Sequence, residues 1–490
     1  MVEERIVAFH NSHNASVCEI KNKEIVYSQE SERINNIKKS NNLSVLINKY
    51  KQQKVDKLIF LNHGQSVSHD IDCNNVEYIH KHHFFHACCA YFNSDFNKSY
   101  VLVLDGKGVN DEIVSLYYFN KNKYKIIFKV FTSINERKEG HRHYINTLSL
   151  GHLFKITAKI LNMKESGSVM GLSSYQNVSG FKIFGEQFNH FKTDQNFIKY
   201  LINEPHNIEM KKSICSSVQQ ETEKIVISYV KNIIKNKKRN LCVSGGVFQN
   251  SVLNGKLLDH CDNLFVDPIS HDGGLSIGAA LWAINQDKYC KVHYKNLFLG
   301  DSLDYSSLVN ARTTNVKQIA ELLIENKIIA IMQGRNEIGP RALGNRSILF
   351  DPRDPEAKNK INELKQREWF RPYAGTVLYE YAHEWFDLKN KKETPYMSYC
   401  FKVKNNKVPG ITHVDDTCRI QTLKREQNPY FYDLIKTFYS ITEVPILFNT
   451  SFNEAGMPLI NSIDQAVNFF NKNKYLDGIY FPEIQKLIIR

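Results

Sequence analysis

Five short runs rich in β-branched and aromatic residues, 5–9, 25–28, 57–62, 99–104 and 113–119, fall within the first 130 residues. Each is near strand length, and together they predict a sheet laid down early in the chain. Between residues 148 and 300 helical periodicity becomes frequent, as in 218–235, interrupted by a strand that runs into a glycine turn over 240–246. Strand–turn–helix units of this kind imply an α/β fold. A chain of 490 residues is too long for one ordinary core, and roughly 150 residues per domain favours two or three domains. The chemistry of the sequence changes after Leu299-Gly300-Asp301-Ser302, beyond which 316–327 predicts an amphipathic helix and 328–333 a buried strand. Arginine, glycine and asparagine crowd the short apolar runs of 328–460, so the boundary is expected near 310, dividing 1–310 from 311–490. No internal repeat or low-complexity tract is visible.

With 42% hydrophobic, 12% aromatic and 23% charged residues the composition is that of a folded protein and excludes a disordered chain. Lysine and arginine, 64, exceed aspartate and glutamate, 51, giving +13. Such a charge suits polyanions from small phosphates to nucleic acid and selects none of them. Ten cysteines are spread over the whole length with no CxxC pair, which argues against a zinc ribbon or a disulfide scaffold and for a reducing compartment. No apolar run reaches the ~18 residues of a membrane span, and the N-terminal stretch lacks the basic flank, apolar core and small-residue site of a secretory leader. A cytoplasmic protein without a membrane partner is expected.

His82-His83-Phe84-Phe85-His86, with His80 just upstream, predicts a helix running into Ala87. Residues 82 and 86 stand one turn apart, so both imidazoles can reach one metal ion, with a third ligand from elsewhere. The plainer alternative is a polar helix start with histidines on the surface. Asp272, in Ser270-His271-Asp272-Gly273-Gly274, sits in a loop opening a helix, where its carboxylate either completes a His-His-Asp site or caps the helix. Ser244-Gly245-Gly246 follows the strand Leu241-Cys242-Val243, and the bare amides of such a turn suit a phosphate, with Asn250 and Asn254 behind it. Asp105-Gly106-Lys107-Gly108 reads equally as a tight hairpin or a phosphate loop.

A second cluster lies in the later part of the chain, where Arg335, Arg341 and Arg346 stand among the glycines of 334–347 and Lys365, Arg367, Arg371 and Arg419 follow. Each arginine can grip a phosphate or carboxylate through two nitrogens, so the cluster suits several anionic oxygens at once. A surface salt-bridge network is the alternative, and Pro340, Gly344 and Pro372 weigh against it because they punctuate the run as loops shaped around a ligand would. Asn449-Thr450-Ser451-Phe452-Asn453 adds amides and hydroxyls after the strand 445–448, at the usual mouth of an α/β site.

These segments, with His13-Asn14-Ala15-Ser16, Val169-Met170-Gly171-Leu172, Arg367-Glu368-Trp369-Phe370-Arg371-Pro372 and 413–421, resemble the NodU/CmcH family of O-carbamoyltransferases over nearly the whole length. The resemblance implies a first domain like the threonylcarbamoyl-transfer protein TsaD, of the actin and sugar-kinase fold, and a second like YrdC. It also implies the chemistry. The second domain would convert carbamoyl phosphate and ATP, the latter with magnesium, to carbamoyl adenylate and pyrophosphate; the first would pass the carbamoyl group to a hydroxyl with ferrous iron or a similar divalent metal bound. By position in the family's motifs, His82, His86 and Asp272 match metal ligands, and His13 and Lys38 fall on an active-site histidine and lysine near the start. Glu165, the nearest carboxylate before Met170, is the candidate base. Asp105, Gly106, Ser244, Gly245, Gly246, Asn250 and Asn254 are expected to face a nucleotide in the first domain. Arg341, Arg346, Lys365, Arg367, Arg371, Arg419, Asn449 and Ser451 are expected to hold carbamoyl phosphate and ATP in the second.

Ser168, Asn36, Gly375 and Asp416 depart from the family pattern, and each could retune the acceptor pocket without removing a metal ligand or a phosphate-gripping arginine. The acceptor is expected to be a hydroxyl of a small molecule, sugar or nucleoside, and a homodimer is compatible with the sequence. Two other readings rank lower. A threonylcarbamoyl transferase acting on tRNA would use the positive charge, but those enzymes normally keep the two domains on separate chains. A nucleotide or nucleic-acid binding protein without catalysis should have lost some of the expected ligand types, and all are present.

Overall fold

A computed structural model describes residues 4–490 except 62–66, 132–148, 177–180, 185–193, 204–205, 236–238 and 287. Two compact units emerge, one of Met1–Val26 with Asn41–His293 and the other of Tyr27–Ser40 with Tyr294–Arg490. The division therefore falls at His293 rather than near 310, and a short N-terminal stretch joins the second unit. The reason is visible in its side chains: Tyr27 Oη and Gln29 Nε2 each donate to Asp301 at 3.0 Å, and Arg33 Nη2 donates to the Gly339 carbonyl at 3.0 Å.

In the first unit, strands β1 (Arg5–His10), β2 (Ser16–Lys21), β3 (Glu24–Glu30), β4 (Lys57–Leu61) and β5 (Val76–Ile79) form a sheet in the order β3-β2-β1-β4-β5. Strand β3 carries the chain across into the second unit at Val26–Tyr27. Strands β6 (Lys98–Leu104), β7 (Glu112–Asn120), β8 (Lys123–Phe131), β9 (Asn240–Ser244) and β10 (Asn263–Val266) form another sheet in the order β10-β9-β6-β7-β8. The five expected runs lie in β1, β3, β4, β6 and β7, with Asn62 outside the described residues. Both sheets share one plan. The leading strand pairs antiparallel with its successor, β1 with β2 and β6 with β7, and parallel with a later strand, β4 or β9, which pairs parallel with the next. The sequence shows no repeat, yet the topology occurs twice.

Four helices matter here: α1 (His82–Asn93), α2 (Ser166–Ser173), α3 (Ile208–Ile234) and α4 (Leu275–Ile284). Helix α1 packs on β6, β7 and β9, while α4 packs on β1, β2 and β4, and the two helices pack on each other. The layers thus run sheet, helix, helix, sheet. Small residues permit this. A Cβ at Gly278 of α4 would lie 2.0 Å from the Phe85 carbonyl oxygen of α1, so only glycine lets the backbones touch there. Helix α3 begins ten residues before the expected 218, where the Asn207 side chain accepts from Met210 N at 2.9 Å, and closes at Lys235 with φ 49°.

The second unit holds a pair of strands, β11 (Phe298–Ser302) with β14 (Arg335–Glu337), and a ten-stranded sheet in the order β12-β22-β21-β13-β15-β20-β16-β19-β18-β17. Its members are β12 (Arg312–Thr313), β13 (Ile329–Met332), β15 (Arg346–Phe350), β16 (Ala374–Leu378), β17 (Phe386–Asp387), β18 (Cys400–Val403), β19 (Thr417–Leu423), β20 (Ile446–Ser451), β21 (Gly478–Phe481) and β22 (Lys486–Ile489). Helices α5 (Val316–Ile324), α6 (Ala357–Lys365) and α7 (Pro429–Thr442) accompany it. Helix α5 stops short of the expected 327 because Asn326, at φ 60°, turns the chain toward β13. The whole is a mixed α/β protein.

Candidate active site

The helical spacing of His82 and His86 does what it predicts. Both rings are buried on the first turns of α1 and meet Asp272 from the turn before α4, with His82 Nε2 3.6 Å and His86 Nε2 3.5 Å from Asp272 Oδ1. A second carboxylate joins them: Asp105 Oδ2, at the end of β6, lies 3.2 Å from His82 Nε2. One ligand atom from each of these four residues lies within 4.8 Å of the others. Burial alone would depress the His82 ring, but Asp272, Asp105 and Glu112 outweigh it and push it up to about 9. Burial likewise opposes the charge on Asp272, and His82 and His86 overcome it, holding the carboxyl well below the usual range. His86 Nε2 is buried without a hydrogen-bond partner, an atom that a bound cation would satisfy. Two imidazoles and two carboxylates fit a first-row divalent ion. His83 turns away to Ser115 at 2.8 Å, and His80 is exposed.

His13, two-thirds exposed, approaches Asp272 Oδ2 through Nδ1 at 3.3 Å. His10, on β1 beside the same group, is pushed down to about 3 by burial despite the pull of Asp272. Glu165 stands at the start of α2, where its own side chain caps nothing. Lys38 falls in the stretch that belongs to the second unit, with Nζ 3.3 Å from Glu32 Oε1.

The glycine turn after β9 differs from an open phosphate loop. Gly245 takes φ 98° and lies so close to the end of β6 that a Cβ would meet the Leu104 carbonyl oxygen at 2.2 Å, and the Gly246 amide donates to Asp105 Oδ1 at 3.0 Å. That amide is engaged by the chain's own carboxylate. Ser244 Oγ donates to Asp267 Oδ2 at 2.9 Å. Asn250 caps the helix Ser251–Leu257 and also donates to Gln219, and Asn254 Nδ2 donates to the Phe248 carbonyl. Gly106 lies in the short connection from β6 to its antiparallel neighbour β7, so the hairpin reading of 105–108 describes the backbone.

In the second unit β15 and β16 begin at the same end of the sheet as β20 finishes, because β20 runs antiparallel to both, and β19 runs parallel to β16. Register then brings Ala374 opposite both Arg419 and Asn449, and Ser347 opposite Ser451. Arg371 stands just before β16, and Arg341 lies in the loop before β15, next to Ala342, whose carbonyl accepts from Asn449 Nδ2 at 3.4 Å. Lys365 reaches the strand end from α6 and is fully buried, donating to the Ser451 carbonyl and to Asn453 Oδ1 at 2.8 Å. Burial lowers the Arg419 guanidinium, and the neighbouring Arg367 and Arg371 add to that depression. Asn449 Nδ2 donates to Thr376 Oγ1 at 2.9 Å. Arg346, like Lys365, whose ammonium also donates to the Asn453 carbonyl at 2.8 Å, is engaged by the chain itself. Fully buried on β15, it donates through Nη1 and Nη2 to the carbonyls of Gln333, Asn345 and Gly334, so its fork is spent on backbone rather than turned to a ligand.

Three placements are not legible in the local sequence. Asp105 was expected to face a nucleotide, and its approach to His82 depends on a strand pairing that no local pattern reveals. Glu337 lies inside the arginine-rich segment, where the cations drew attention first. Arg33 precedes Lys38 in a stretch whose membership of the second unit is a long-range property.

The first unit thus buries a group of imidazoles and carboxylates, and the second gathers cations near a strand end. Residues 12–281 match the family model Carbamoyltransferase N-terminus and residues 320–485 match Carbamoyltransferase C-terminus, and the chain belongs to that carbamoyltransferase family, of NodU/CmcH type. Nodulation protein NolO of Bradyrhizobium diazoefficiens is 32% identical over 436 residues, covering 81% of this chain and 77% of that one. Nodulation protein NolNO of Sinorhizobium fredii is 32% identical, covering 85% of this chain and 64% of that one. Among solved structures, full-length HypF in a phosphate- and nucleotide-bound form is 15% identical with a TM-score of 0.36, covering 59% of this chain and 56% of that chain, a likeness too slight to place fold or function.

Proposed function

We propose that this carbamoyltransferase works in two steps divided between its units. In the second unit, carbamoyl phosphate loses its phosphate to water, and the carbamate oxygen then displaces pyrophosphate from the α-phosphorus of ATP, leaving carbamoyl adenylate. In the first, the acceptor hydroxyl attacks the carbamoyl carbon, AMP leaves, and the hydroxyl proton passes to a base, assigned to Glu165. The observation that carries this reading is the gathering of Arg341, Lys365, Arg371, Arg419 and Ser451 at one strand end. A carbamoyl carbon is a poor electrophile because nitrogen donates into it, so a good leaving group is needed and the arginines must steady the phosphates that provide it. A divalent ion at His82, His86, Asp105 and Asp272 would supply Lewis acidity toward the carbamoyl oxygen. The chain's own part there is to hold two imidazoles and two carboxylates together within a buried site, with His13 beside Asp272.

The sheet–helix–helix–sheet layering and the twice-used strand order support a TsaD-like, actin and sugar-kinase type of first unit, and a YrdC-like second unit goes with the adenylating role. The acceptor is a hydroxyl of a small molecule, sugar or nucleoside. Ten cysteines spread over the chain with no CxxC pair suit a reducing compartment such as the cytoplasm. Among the described residues no helix is long and apolar enough to cross a membrane.

ATP and carbamoyl phosphate should release pyrophosphate without any acceptor. Arg341→Ala should reduce that release by about ten- to a hundredfold, since loss of a charged phosphate contact costs roughly 1.5 to 3 kcal/mol. Release that required acceptor, or that survived the substitution intact, would show the scheme to be wrong.

A further inference from the structure

The loop that carries Arg341 is shaped by an anion belonging to the chain itself. Glu337, at the end of β14 and fully buried, aims Oε1 at three backbone amides: Leu343 N at 3.0 Å, Asn345 N at 2.7 Å and Arg346 N at 3.0 Å. Amides converging on one oxygen form a nest of the kind that binds free anions. Here a side chain fills it. The buried Arg346 guanidinium has Glu337 as its foremost neighbouring charge, so the carboxylate is balanced as well as bonded. At the other flank of the loop, Arg33 Nη2 donates to the Gly339 carbonyl at 3.0 Å. Gly339 and Gly344 take φ of 86° and 111°, left-handed conformations that let the loop fold tightly around the carboxylate. Held at both flanks, the loop carries Arg341 in its middle, while the amides of 343–346 are committed to Glu337 and Ser347.

We propose that Glu337 is a positioning residue for the anion site of the second unit: by filling the amide nest before β15 it fixes the loop that presents Arg341 and so sets the affinity for carbamoyl phosphate. This rests on the assignment of adenylate formation to that unit. Glu337 does not touch substrate, so its influence must pass through the loop.

The test compares Glu337→Ala, Glu337→Gln and each of these combined with Arg341→Ala in the full chain, reading pyrophosphate release. Glu337→Ala should raise the KM for carbamoyl phosphate about tenfold or more with a smaller change in kcat, and Glu337→Gln should recover most of that loss because its amide oxygen can still accept from the nest. On top of Arg341→Ala the same change should add little, since the side chain being positioned is already gone. An unchanged KM in Glu337→Ala, or an equal additional loss in both backgrounds, overturns the proposal and leaves the glutamate a purely structural residue. Hydrogen exchange at the Leu343, Asn345 and Arg346 amides reads the clamp without catalysis and should speed up about tenfold or more in Glu337→Ala. Unchanged exchange overturns the proposal as well. Faster exchange in a protein that releases no pyrophosphate would keep the clamp and remove the adenylate assignment instead.

Discussion

Residues of one chemical type take different parts according to what surrounds them. Arg341 and Arg346 are five positions apart, yet the first stands in a loop at the strand end and the second spends its fork on backbone carbonyls. His82 and His83 are neighbours, yet one faces Asp105 and Asp272 and the other Ser115. The helix rotates each successive side chain by about 100°, so a single position decides membership of the site. His82, His86, Asp105 and Asp272 should hold about one first-row divalent ion per chain. His82→Ala combined with His86→Ala should abolish binding in elemental analysis of the purified protein, and full occupancy in that double variant would show that the ligands lie elsewhere.

Elements position these residues through close approaches. Asp272 reaches the histidines only because α4 lies against α1 without a side chain between them at Gly278. Gly278→Ala must push the helices apart or strain the Phe85 carbonyl, at a cost of about 1–3 kcal/mol. It should lower the urea midpoint and reduce metal content together; stability lost with full metal content would mean that the site tolerates helix separation. Local patterns make α1, α5 and six of the first-unit strands legible, α5 through its one buried face and the strands as short, nearly continuous apolar runs buried on both sides. Strands β2, β5, β8 and β10 are not legible in this way. β5 has only four half-buried or exposed residues, and β8 sits at a sheet edge with Ile126, Ile127 and Phe131 exposed, so neither carries the clean alternation of a half-buried strand.

At the scale of the whole molecule the two proposed half-reactions lie in separate units and should separate by mutation. Glu165→Gln or Asp272→Asn, both in the first unit, should leave pyrophosphate release largely intact while carbamoyl transfer to any acceptor fails and hydrolysed carbamoyl groups accumulate. Equal loss of both activities in one preparation would point to misfolding or to a different division of labour. If Asp272 is only a helix cap and Glu165 only a surface charge, the cost should be near ~1 kcal/mol of stability with normal transfer. By itself the sequence determined the α/β class, the pairing of His82 with His86, and the arginine-rich chemistry of the later part, because these follow from composition and short-range spacing. Tertiary structure alone decided that Asp105 joins the histidines, that Glu337 fills its own amide nest, that Tyr27–Ser40 belongs with the second unit, and that one strand order is used twice. Glu337 meets its amides within nine residues through the fold of one loop, while the others depend on segments brought together across scores of residues, a choice set by the burial of whole faces rather than by any local pattern.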